Sequence, residues 1–148
     1  MKVEIETEVQ KLLSISFLRG ELAAHPAVKS VSLNPFLYAR RCAWAGWDVE
    51  LQEIILDPYA SPKVICNFAN RIFPNFNLEE KEAWQFAFFH ECRHSDGVRD
   101  EDLSNAWAKE KIVEMRIQRE TLYKQIRDSV KVAMQEVLSK AFTRAGTN

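Results

Sequence analysis

Apolar residues recur along the chain first at helical, then at strand, then again at helical spacing. Leu12, Leu13, Phe17 and Leu18 follow one helix face, and Thr7 with Gln10 has the form of a capping box. A first helix is therefore expected from about Glu8 towards Ala24, ended by Pro26. Between Val28 and Asp57 the pattern changes. VKSVSLN, LYARRCAWA and WDVELQEIILD are rich in Val, Ile, Tyr and Trp and are punctuated by Asn34-Pro35 and Gly46, which predicts up to three short strands. Ser61 followed by Pro62 pairs a capping side chain with a residue preset for the first helical position. It predicts a helix over Lys63 to Phe73 that closes at Pro74.

Asn77 with Glu80 is expected to open the next helix, LEEKEAWQFAFFHECRH, and Ser95-Asp96-Gly97 to stop it. This segment is apolar nearly all round, as a helix covered on most sides must be, so it is the expected central helix. From Asp100 to about Phe142 there is neither Gly nor Pro, which predicts one very long helix or two with a hidden break. Within it Tyr123, Ile126, Val130, Ala133 and Val137 keep a 3,4 alternation, a seam that could pack back on the domain or pair with a second copy of the chain. The predicted fold is α+β and mostly helical, with a small, about three-stranded sheet packed on the central helix and a long C-terminal helix or helix pair. A single domain over 1–148 is expected. Residues 1–99 would give helix, sheet and central helix, and 100–142 a further helix and its extension.

Composition agrees with one domain holding a real core: 148 residues, 47% hydrophobic and 28% charged. Twenty Lys and Arg against 21 Asp and Glu leave a formal net charge of -1, so a nucleic-acid partner is not expected. No apolar run approaches a membrane span and MKVEIETEVQ lacks the form of a signal peptide, so no membrane partner and a cytoplasmic location are the expectations. Cys42, Cys66 and Cys92 share no CxxC spacing and read as buried free thiols rather than disulfide or zinc cysteines.

The candidate chemistry lies in the central helix, at His90-Glu91-Cys92-Arg93-His94. Residues four apart on a helix share a face, so the two imidazoles can converge on one ion, and zinc accepts imidazole nitrogen at about 2.0–2.1 Å. Glu91 lies next to that face. It is the expected general base towards a water that such an ion acidifies to a pKa of about 7. Hydrolytic zinc sites usually take three protein ligands, and the acids after the Gly97 turn are the candidates. Glu101 is preferred as third ligand and Asp100 is the alternative. Asn105, four residues beyond Glu101, shares its face and could support the site.

His90-Glu91-Cys92-Arg93-His94 followed by Glu101-Asp102-Leu103-Ser104-Asn105-Ala106-Trp107-Ala108 resembles the HExxH…ExxA[DN]xxA arrangement of gluzincin metallopeptidases, particularly minimal ones. The resemblance implies His90, His94 and Glu101 as zinc ligands, Glu91 as base and Asn105 as support for Glu101 from the same helix face. Ser104 stands where the family usually has Ala, and the gap between His94 and Glu101 is short. The stretch from His90 through Gly97 to Asp100 also resembles the metzincin HExxHxxGxx(H/D) pattern, with Asp100 as third ligand, although no methionine sits in a convincing downstream turn. For oxyanion stabilisation His25, Tyr38, Tyr59 and Arg93 are the nameable candidates, His25 being more simply a surface residue at a helix end. WDVELQEIILD near the cleft could receive an extended peptide by strand addition. The functional expectation is thus a zinc metallopeptidase-like hydrolase acting on a peptide or protein. The alternative is a non-catalytic helical interaction module of the same fold, with a homodimer through the C-terminal helix.

Overall fold

Among the described residues four short strands make one sheet: β1 (Glu4–Ile5), β2 (Ser30–Leu33), β3 (Ala45–Asp48) and β4 (Glu53–Leu56), in the order β1-β2-β4-β3. The structure, a computed structural model, describes residues 2–37 and 43–146; Tyr38, Cys42 and most of the LYARRCAWA segment lie outside the described residues. β2 runs parallel to both β1 and β4, while β3 is an edge strand antiparallel to β4, with Trp47 opposite Ile54 and Ala45 opposite Leu56. Helices α1 (Ile15–Leu22), α2 (Pro62–Ile72), α3 (Ala83–Ser95) and α4 (Glu101–Gly146) complete an α+β, mostly helical fold. The fold class is the one expected, with one strand more. The two-residue β1 is too short for its periodicity to be read.

The chain divides into two units, Met1–Ile112 and Val113–Asn148. The first holds the sheet, α1 to α3 and the opening turns of α4. In the second, α4 continues to Gly146 as one helix. Among the described residues no helix is long and apolar enough to cross a membrane.

Three predicted boundaries shift. The expected helix from Glu8 to Ala24 is two pieces, a 3-10 turn at Thr7–Lys11 and α1. Thr7 caps nothing. Ser14 takes that role, its hydroxyl accepting from the Phe17 N–H at 3.3 Å and starting a fresh helix between the buried Leu13 and Leu18. WDVELQEIILD is not one strand but the β3–β4 hairpin. The Asp48 carboxylate accepts from the Glu50 and Leu51 N–H groups, both at 3.0 Å, and Gln52 adopts φ 52°, reversing the chain. Asn77 does not cap the central helix and has a left-handed φ of 52°. The cap is Glu79, paired reciprocally with Glu82 in a capping box that opens a 3-10 turn leading into α3. Asn70 fixes the preceding loop, accepting from the Leu78 N–H at 2.7 Å and donating to its carbonyl at 3.2 Å.

α2 begins as predicted, with Ser61 as cap and Pro62 in the first turn. α3 is the buried central helix. Phe86, Phe88 and Phe89 are essentially inaccessible, and Phe17 of α1 meets Phe88 and Phe89 edge-on with ring centroids 5.8 and 5.5 Å away. Each such ring contributes about 1.5–3 kcal/mol of burial, so α3 is held firmly between the sheet and its neighbouring helices. Its end is a Schellman turn. The Gly97 N–H bonds the His94 carbonyl, the Val98 N–H bonds the Arg93 carbonyl, and Gly97 takes φ 95°. That turn sends the chain into α4 beside the end of α3.

Candidate metal centre

The rigid α3 presents His90 and His94 on one face, and the Schellman turn returns Glu101, the first residue of α4, to that face. The Nε2 atoms of the two histidines are 2.9 Å apart. Glu101 Oε2 is 2.9 Å from His90 Nε2, and its Oε1 is 3.2 Å from His94 Nε2. Donors arranged tetrahedrally around zinc at about 2.0–2.1 Å stand roughly 3.3 Å from one another, so this trio fits such an ion after small adjustments.

The chemistry of the donors agrees with their spacing. His94 Nδ1–H donates to the Val98 carbonyl at 2.7 Å, since a carbonyl can only accept; in the neutral ring Nε2 then carries the lone pair aimed at His90 and Glu101. A lone pair, a second imidazole and a carboxylate converging in this way call for a proton or a cation between them. Burial first, and His94 second, lowers the pKa of His90 despite the opposing pull of Glu101 and of the hydrogen bonds from Asn105 and Glu101, so its ring is readily held neutral, as a ligand must be. The Glu101 side chain is 71% exposed, which leaves the trio open to solvent on one side.

His90, Glu91, His94, Glu101 and Asn105 all line one cleft of about 810 Å³. Glu91 is buried, and desolvation, reinforced by the negative charge of Glu101, pushes its pKa up to about 8. Asn105 is buried and hydrogen-bonds His90. Asp100 is employed otherwise: its Oδ1 accepts from the Leu103 N–H at 2.9 Å, capping α4, and it is not one of the converging donors.

The candidates for oxyanion stabilisation do not come together here. His25 is buried rather than a surface helix-end residue. Its Nδ1 is 2.8 Å from Asp96 Oδ1 and its ring meets Trp107 edge-on, interactions that sequence spacing cannot reveal. Arg93 lies over the Trp107 ring and 3.6 Å from Asp96, Tyr59 is exposed, and Tyr38 falls outside the described residues. None of the three described ones lines the cleft.

Two groups went unread in the sequence. Ser104, fully buried, sets its hydroxyl 3.4 Å from His94 Nδ1, next to the Val98 carbonyl; its only signal was that it stands where the motif has Ala. The cleft wall comes from the edge strand β3 and its approach, with Trp44 stacked edge-on against Phe68 of α2 at 5.2 Å. Cys66 and Cys92 are buried free thiols whose pKa values burial raises, which leaves them inert. No known protein family, no curated protein and no solved structure matches the chain.

Proposed function

We propose that the protein is a zinc-dependent metallopeptidase-like hydrolase, of the kind the gluzincin resemblance implies. The observation that supports it most is the convergence of His90, His94 and Glu101 within 2.9–3.2 Å, beside a buried Glu91 in an open cleft. These three side chains would hold a zinc ion, which would supply Lewis acidity towards a water and a carbonyl when bound. Glu91 would accept the proton of the attacking water and return it to the leaving amine; burial pushes its pKa up to about 8 in the metal-free site, and the charge of a bound ion would oppose that burial and favour the ionised form a base requires. The Val98 carbonyl and Asn105 orient the histidines. An extended peptide would lie along β3, whose outer edge has no partner strand among the described residues and whose residues border the cleft. Buried, reduced Cys66 and Cys92 accord with a cytoplasmic setting.

The test joins metal analysis to hydrolysis of a mixed peptide library. Wild type is expected to carry one zinc per chain and to cleave. Glu91→Gln should keep zinc and lose cleavage, and His90→Ala should lose both. Protein that takes up no divalent metal sinks the reading. Zinc retention without cleavage in wild type favours the non-catalytic interaction module, a reading supported by the exposed apolar seam of α4.

A further inference from the structure

Between Leu122 and Leu138 the large apolar residues of α4, Val132 excepted, gather on one side. At 100° per residue, Leu122, Tyr123, Ile126, Val130, Met134, Val137 and Leu138 fall within about 80° of the direction of Val130. All seven are between 50% and 66% exposed. A hollow of about 420 Å³ on this face is floored by Ile126, Val130, Met134 and Leu138, with Arg127 and Lys131 along one shoulder.

We propose that this face is a dimerisation seam whose occupant is a second copy of α4. The area supports a stable pair. Side chains of this size at these exposures offer on the order of 100 Å² each, so the seven would remove about 700 Å² per copy from water, near the ~800 Å² per partner of a standard interface. The seam is also self-complementary. Its apolar positions read the same in both directions about Val130, since Leu122 mirrors Leu138, Tyr123 mirrors Val137 and Ile126 mirrors Met134.

Val130 and Val132 supply a matched test, because both are 53% exposed and they lie on opposite faces of α4. Sedimentation of the full chain over a roughly hundredfold range of concentration should give a wild-type dimer. Val130→Glu should weaken it by about tenfold or more, and Val132→Glu should leave it unchanged, with helical circular dichroism retained in both. Wild type that stays monomeric throughout, or equal effects of the two substitutions, overturns the proposal.

Discussion

His94 Nδ1 donates to the carbonyl of Val98 at 2.7 Å, so the orientation of one candidate ligand depends on the backbone four residues downstream. That carbonyl is positioned by the Schellman turn at Gly97, whose φ of 95° strains any residue bearing a Cβ. A Cβ at Gly97 would meet no heavy atom within 4 Å, so Gly97→Ala isolates the backbone effect from crowding. It should lower stability by about 1–2 kcal/mol in thermal unfolding and weaken zinc binding by about tenfold in competition with a chelator. Unchanged zinc affinity would show that the His94–Val98 bond does not matter to the centre.

Asp100 and Glu101, adjacent in sequence, have separable roles. Asp100→Ala should cost about 1 kcal/mol through the lost cap while leaving zinc stoichiometry intact, and Asp100→Asn should restore most of that stability. Glu101→Ala should do the reverse, with little change in the metal-free melting temperature and a large loss of zinc affinity. Metal titration of the three variants decides. A loss of zinc in Asp100→Asn together with its retention in Glu101→Ala would make Asp100 the ligand.

Glu91 predicts the pH dependence of the metal-free protein. Its pKa rises from an ordinary 4.5 to about 8 on folding, so between these values the native state holds the proton more than the unfolded chain does. Stability therefore falls as pH rises from about 4.5 to about 8 and levels off above, by a few kcal/mol at ~1.4 kcal/mol per tenfold. In chelator-treated protein Glu91→Gln should flatten this slope and melt higher than wild type at pH 8. Parallel profiles for the two proteins would contradict the assignment.

Zinc release on acidification should follow the histidines. The lowered pKa of His90 means that protons compete poorly for its ring, so zinc should stay bound below the pH at which an ordinary histidine, pKa 6.5, is half protonated. A colorimetric zinc-release assay against pH measures this. Release centred above 6.5 would be inconsistent with the buried ring.

Much of the candidate site could be read from the chain because its parts are local. HExxH at helical spacing, a stop at Gly97 and acids in the next helical turn need only α3, one turn and the start of α4, and the converging donors are His90, His94 and Glu101. The choice between Asp100 and Glu101 was open because adjacent acids at a helix start serve equally well as cap or ligand until the cap bond to Leu103 is seen. What escaped was long-range. The burial of His25 depends on Asp96 and Trp107, and β1 exists only through its pairing with Ser30 and Val31. The break between the first 3-10 turn and α1 escaped for another reason, since the apolar rhythm runs unbroken through Leu12, Leu13 and Phe17 across the join.

The antiparallel setting of β3 beside β4 affects how the molecule assembles. The hairpin closes across a few residues, while β1, β2 and β4 must find each other over much longer separations. Short loops close in tens of nanoseconds and distant strands pair far more slowly. The wall of the cleft thus belongs to the fast-forming part of the chain, and the slow entropic step, docking β1 and β2, falls on the side of the sheet remote from the chemistry.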